Sequence, residues 1–206
     1  MATDQLIKSD LYRYTGGTSF TSFARAMLLI PGFRFSYFFR KGSSYPTKTI
    51  RRRVFEIICR HYSIKFGFQI PLGTQIGPGM YLGHWGQLVI NPSTKIGNNC
   101  NIGQGVTIGQ TNRGAKKGSP KIGDRVWIGA NAVLVGNISI DSNVLIAPNS
   151  FVNFDVPDNS IVITQKCKVV PDKQATTNYI CRVRDEFLNE PIKPHLLPNN
   201  DAHSVE

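Results

Sequence analysis

The side chain best suited to chemistry is His84, set in the run Gly83-His84-Trp85-Gly86-Gln87. An imidazole titrates near neutrality, so it can take a proton from an alcohol or an amine under physiological conditions. The competing reading is a polar residue at a tight corner with no task, and one histidine does not separate the two. Trp85 beside it is placed for acceptor recognition or subunit contact, whereas Trp127 reads as interface or surface packing. Arg113, Lys116 and Lys117 lie in the stretch GQTNRGAKKGSP, residues 109–120, and suit phosphate contacts as well as they suit a soluble loop. Gly129-Ala130-Asn131 and Ala147-Pro148-Asn149 are small-residue steps. They would let an extended ligand lie against backbone groups, and they are also what any tight corner needs. Cys100 is the rival nucleophile, but it lies two residues before Ile102, where the pattern points inward. No group of His, Cys and acids has metal-ligand spacing, so no metal is expected.

These residues interrupt or decorate a six-residue beat. Aliphatic side chains recur at Ile64, Ile70, Ile76 and Leu82, then at Ile90, Ile96, Ile102 and Ile108, then at Ile122, Ile128, Leu134, Ile140, Ile146 and Val152. A period of six suits neither a helix nor an ordinary sheet. It fits an all-β architecture, a left-handed parallel β-helix in which three hexapeptides make a triangular coil of about 18 residues. Gly, Asn and Asp would turn the corners. The repeat should run from near Ile64 to about Ile163, roughly five coils. Between Leu82 and Ile90 the spacing is eight rather than six, and the extra residues fall at His84. Between Ile108 and Ile122 it is fourteen rather than twelve, and the Gly, Asn, Arg and Lys there predict an extruded loop. The expected organisation is an N-terminal helical region over 1–62, the β-helix over 63–165, and a C-terminal segment and tail over 166–206.

Within the helical region, Ser19 to Leu29 reads as a helix broken by Pro31-Gly32, and Phe33 to Arg40 as a short aromatic stretch. Thr47 to Tyr62 reads as a second helix, with Ile50, Val54, Ile57, Ile58 and Tyr62 on one side and Arg51, Arg52, Arg53 and Arg60 largely elsewhere. That helix either caps the open end of the β-helix or touches a membrane surface together with the Phe-rich segment. Residues 1–66 carry 12 Lys and Arg against three acids, within a net charge of +11 for 206 residues. Such a field favours anionic partners. The basic residues form no zinc finger, aromatic RNA-binding pattern or helix-turn-helix, so nucleic acid is not an expected partner. The four cysteines, Cys59, Cys100, Cys167 and Cys181, contain no CxxC pair and read as free thiols of a reducing compartment. The polar start MATDQLIKSD predicts no signal peptide, and the longest apolar run is too short to span a bilayer. A cytoplasmic protein is expected, at the inner face of the membrane if the basic region touches it.

With IGPGMYLGHWGQLVI (76–90), NIGQGVTIGQ followed by the polar loop and SPKIGDRVWIGANAVLVGNI (101–138), and VPDNS (156–160), the chain resembles the hexapeptide-repeat acyltransferases, and within them the serine acetyltransferase group. The resemblance covers about half the chain. It implies a homotrimer with active sites between subunits, acetyl-CoA as acetyl donor in a groove between neighbouring β-helices, and a histidine that deprotonates the acceptor hydroxyl. That histidine matches His84. The cofactor positions match Gly129, Ala130, Asn131, Ala147 and Pro148 on the pantetheine side, with Arg113, Lys116, Lys117 or Lys168 toward the phosphates.

Several departures bear on the acceptor. Serine acetyltransferases have Asp where Gly83 stands, an orienting acid where Gln69 stands, and a second histidine where Ser119 stands. A serine zwitterion needs a carboxylate to meet its ammonium. The resemblance therefore points more to the small O-acetyltransferases of capsule, exopolysaccharide or lipopolysaccharide synthesis, acting on a sugar hydroxyl of a surface polysaccharide or its lipid-linked precursor. On that reading Trp85 and Gln69 serve the acceptor site. Serine O-acetyltransferase, amino-sugar N-acetyltransferase and a non-catalytic β-helix scaffold are the alternatives.

Overall fold

The computed structural model describes residues 2–164 and 170–176. Residues 1–165 form one compact unit, and of 166–206 only 170–176 are described. Four helices come first: α1 (Thr3–Thr15), α2 (Phe20–Leu29), α3 (Pro31–Ser43) and α4 (Ile50–Phe66). Their ends are set by local chemistry. The Ser19 hydroxyl accepts the Ser22 N–H at the start of α2, and the Thr49 hydroxyl accepts the Arg52 N–H at the start of α4. Gly16 and Gly67 close α1 and α4 in the left-handed conformation.

Pro31 ends one helix and also begins the next, because a ring without an N–H fits the first helical position. The aromatic stretch after it is therefore helical rather than irregular. Its Phe35 and Phe39 are fully buried and join Phe66 and Phe68 at the mouth of the β-helix, so α3 is the plug. Ile7 and Leu11 of α1, Ala26 of α2 and Phe33 of α3 form a second, smaller core.

Helix α4 departs from expectation twice. It runs to Phe66, four residues beyond Tyr62, so Ile64 is not the first step of the repeat but a helical residue that is 78% exposed. Its inward face is Arg52, Cys59 and Phe66, while Ile50, Val54 and Ile57 face outward. The guanidinium of Arg52 explains the rotation. It donates to the Gly42 carbonyl at 3.1 Å, the Leu72 carbonyl at 2.8 Å and Glu56 at 3.1 Å, pairing acceptors left over at a helix end and a turn.

From Phe68 the chain winds as a parallel β-helix with three faces. One sheet is β1 (Phe68–Gln69), β4 (Leu88–Ile90), β7 (Thr107–Gly109), β10 (Val133–Val135) and β13 (Phe151–Val152). The second is β2 (Gln75–Ile76), β5 (Lys95–Ile96), β8 (Lys121–Ile122) and β11 (Ser139–Ile140). The third is β3 (Tyr81–Leu82), β6 (Asn101–Ile102), β9 (Trp127–Ile128), β12 (Leu145–Ile146) and β14 (Ile161–Val162). All strand pairings are parallel and link one coil to the next, as in Leu82↔Ile102↔Ile128↔Ile146↔Val162.

The aliphatic residues from Ile70 to Val152 stack into the interior. A second inward position lies two residues before each, occupied by Met80, Thr94, Cys100, Val106, Val126, Ala132 and Ser150 among others. Many of the corners use a left-handed residue three positions after the aliphatic: Gly73, Gly79, Asn99, Gly105, Arg125, Asn131, Asn143 and Asn149. Asn and Gly dominate because other side chains clash there.

Candidate active site

His84 is separated from the end of β3 by Gly83 alone, and α1 holds that strand from outside. Asp10 Oδ1 accepts the N–H groups of Gly79 and Met80, both at 2.9 Å, on the turn entering β3. The same carboxylate pairs with Arg40 of α3, with Nε to Oδ2 at 2.8 Å, and Arg40 also donates to the carbonyls of Ile76 and Gly77. Both side chains are buried. Burial pushes the Asp10 carboxyl up from the usual carboxylate range, while Arg40 and the two N–H groups pull it back. One turn on, the Tyr14 hydroxyl accepts the Leu82 N–H at 2.7 Å. Burial drives this phenol's pKa upward, so it stays neutral at that post. Arg13 donates to Asn101 and lies over the Tyr81 ring, 5.9 Å from its centroid.

The far side of the His84 segment is held by α4. The Gly86 N–H donates to the Phe66 carbonyl at 2.9 Å and the Leu88 N–H to the Gly67 carbonyl at 2.9 Å. A Cβ on Gly67 would sit 2.6 Å from the Gly86 carbonyl oxygen, so the close approach requires glycine there. Between these two clamps Gly83, His84 and Trp85 stand exposed.

His84 opens onto a cleft of about 250 Å³. Tyr81, Asn101 and Trp127, outward residues of three successive strands, form one wall. Gly103, Gln104, Ala130 and Pro148 form the other. The strand register explains the grouping. His84, Gln104, Ala130 and Pro148 each lie two residues past the paired aliphatics Leu82, Ile102, Ile128 and Ile146. They therefore stack down one corner of the β-helix. Gly129 keeps this corner tight, since a Cβ there would meet the Pro148 nitrogen at 2.5 Å. None of the residues lining the cleft is acidic.

The structure thus brings His84, Ala130 and Pro148 together, with Gly129, Asn131 and Ala147 on the same coil edges. Asn131 turns its corner in the left-handed conformation and donates its N–H to the Gln104 carbonyl. Other expected site residues lie elsewhere. Gln69 lines a separate cleft with Glu56 and Arg60 of α4, and it is not among the residues around His84. Trp85 is 67% exposed and does not line the cleft, whereas Trp127 does. Trp127 thus shares the cleft wall; its alignment with Tyr81 and Asn101 depends on the insertions between coils.

The 109–120 segment is the expected extruded loop, closed by an antiparallel Thr111–Gly118 pair. Lys116 Nζ pairs with Asp155 at 2.7 Å on the surface and its carbonyl accepts the Asn137 N–H, and it does not line the His84 cleft. Arg113 and Lys117 are exposed, and neither lines the His84 cleft. Ser119 donates to Asn91. Lys168 lies outside the described residues, as do Cys167 and Cys181. Cys100 is buried against the Gly123 carbonyl, and burial pushes its thiol up to about 11, which removes it as a nucleophile. Cys59 is likewise buried and pushed up to about 12.

A three-sided coil with a histidine and small-residue steps along one corner defines a class, the hexapeptide-repeat transferases of left-handed β-helix fold. Comparison with known proteins agrees. Residues 119–153 match the family described as bacterial transferase hexapeptide (six repeats). The serine acetyltransferase of Staphylococcus xylosus is 39% identical over 116 residues, 56% of this chain and 52% of that protein. The serine acetyltransferase of Helicobacter pylori is 32% identical over 148 residues, 70% of this chain and 84% of that protein. The crystal structure of serine acetyltransferase isoform 3 from Entamoeba histolytica, in complex with cysteine, matches with a TM-score of 0.70 at 28% identity. It covers 92% of this chain and 64% of that one. The chain belongs to the hexapeptide-repeat transferase family and is homologous to serine acetyltransferases. It spans about half the length of the first curated relatives it matches.

Proposed function

We propose that this protein is an acetyl-CoA-dependent O-acetyltransferase in which His84 is the general base. The observation that carries this reading is the single cleft shared by His84 and the small-residue corner of Ala130 and Pro148. The exposed imidazole, held between two clamped ends, is available to take the proton from an acceptor hydroxyl. The Gly129-Ala130 and Ala147-Pro148 steps leave room for the narrow arm of the donor along the coil edge. Acetyl-CoA supplies the activated thioester carbonyl. The exposed Arg113 and Lys117, remote from their own chain's cleft, suit a trimer in which the loop of one subunit meets the cleft of the next.

The acceptor has two readings. Homology favours serine, the substrate named in the relatives. A sugar hydroxyl, free or in a surface polysaccharide and its lipid-linked precursor, is favoured by a different observation. The cleft offers two aromatic rings, Tyr81 and Trp127, and two amides, Asn101 and Gln104, but no carboxylate for an ammonium group. Rings and amides are the usual means of holding a neutral polyol.

The deciding experiment is acetyl-CoA-dependent thiol release by the native protein and His84→Ala, with L-serine, sugar nucleotides and glycan fragments as acceptors. Turnover should fall about 10²–10⁴-fold in the variant with the true acceptor. Turnover with serine alone would remove the glycan reading, and turnover with a glycan alone would remove serine. With a glycan acceptor, a base-stable product would identify an amide and an amino-sugar acceptor. An inert protein that also fails to bind acetyl-CoA would be a scaffold, and the proposal would fall.

A further inference from the structure

The outer face of α4 carries a largely apolar stripe that the other described residues leave exposed. Ile50, Val54, Ile57 and Ile64 follow one another at steps of four, three and seven, so they share one side of the helix, with the exposed His61 among them. They are 48–81% exposed. The opposite side, Arg52, Cys59 and Phe66, is the one the fold buries. At about 100° per residue, Arg53 and Arg60 border the stripe on one side, and Arg51 and Lys65 on the other. All four are exposed. The helix's one acid, Glu56, is paired with Arg52 at 3.1 Å, away from the stripe. The end of α2 lies near the C-terminal end of α4. Arg34 donates to the carbonyls of Met27 and Leu28 while its guanidinium lies 5.9 Å from the Phe66 ring centre. That places the exposed Leu28 and Leu29 beside the C-terminal end of α4.

We propose that this face docks on an anionic lipid bilayer. Helix α4 lies in the plane of the interface, its stripe in the boundary between headgroups and acyl chains and its two basic borders on the headgroups. The charge distribution selects this occupant over a pairing of this face with itself in a second copy of the chain. Pairing two such stripes, parallel or antiparallel, sets cation against cation at both seams with no acid to meet them. The helix lies on the bilayer and does not cross it: it has 17 residues, and no helix among the described residues is long and apolar enough to span a membrane. The inference does not depend on the acetyl-transfer reading.

Co-sedimentation of the full chain with vesicles tests it, using phosphatidylcholine alone and phosphatidylcholine mixed with phosphatidylglycerol. The protein should pellet with the mixed vesicles only, and less as salt is raised. Arg53→Glu with Arg60→Glu, and separately Ile57→Ser with Ile64→Ser, should each lower the bound fraction about tenfold or more. Circular dichroism should show both double variants folded, since all four side chains are exposed. Three results would overturn the proposal: no binding, equal binding to neutral vesicles, or variants that bind like the native chain. So would an oligomer that Ile57→Ser with Ile64→Ser dissociates in a protein that ignores lipid, because the stripe would then be a subunit interface.

Discussion

The β-helix and its helical cap are stabilised by opposite means. In the β-helix every coil repeats one rule: an aliphatic inward, a second small or apolar residue two positions earlier, a left-handed corner, and strand N–H groups bonded to carbonyls of the next coil. No single side chain is indispensable to that pattern. The cap has no repeat. It depends on a few specific ties, chiefly Asp10 with Arg40 and two backbone N–H groups, Arg52 with three acceptors, and Tyr14 with Leu82. The His84 segment lies where the two regions join. Its positions along the corner come from the coil, and its clamps come from the cap.

If that contrast is right, damage to the cap should cost more per side chain and reach His84, while damage to the coil should be local. Asp10→Ala leaves Arg40 buried without its partner and frees two N–H groups, and should cost about 3–5 kcal/mol. Urea unfolding would measure this, and acetyl transfer should fall with it as the turn into β3 loosens. Replacing both partners, Asp10→Leu with Arg40→Met, should recover most of that stability, because an apolar pair removes the unpaired charge. A double variant as unstable as Asp10→Ala would instead show that the bonds to Gly79 and Met80 carry the effect.

Leu134→Ala, at a fully buried step of the interior column, should cost about 2–4 kcal/mol. It should leave the KM for acceptor and donor unchanged, since Leu134 lies on a different sheet from the cleft wall. Tyr14→Phe should cost about 1 kcal/mol and lower turnover more than it changes KM, because it removes the hydroxyl that holds Leu82 just before His84. The smallest effect is expected at the loop. The Asp155 carboxyl is held below the usual carboxylate range by Lys116 and the Ser139 N–H. Its anchoring is therefore present above the ordinary carboxylate pKa and is lost only as pH falls through the lowered value. Asp155→Asn should leave the melting temperature nearly unchanged and raise the KM for acetyl-CoA modestly at neutral pH.

The cleft was half legible in advance. His84, Ala130 and Pro148 could be found because each breaks or punctuates the repeat. Tyr81, Asn101 and Trp127 could not be grouped, though each directly precedes an inward aliphatic. Two insertions of unequal length separate them, and only strand register shows that they share a wall. Gln69 went the other way: an alignment position suggested a partner for His84, whereas within the chain it belongs to the cleft under α4.

The sequence by itself determined the β-helix, because a six-residue period has one structural solution and every coil restates it. It also located the two interruptions and the basic character of the first third, although the second interruption proved to be one step from β7 to β8, fourteen residues in place of six rather than of twelve. Tertiary structure decided the rotation of α4 and the identity of the plug. Periodicity put Ile50, Val54 and Ile57 on one side without saying whether the fold covers that side; the carbonyls of Gly42 and Leu72 needed donors, and Arg52 turned inward to supply them. Satisfying polar backbone at a junction outweighed burying three aliphatic side chains. A helix pattern records which residues are apolar, but not which acceptors wait on the surface it must cover.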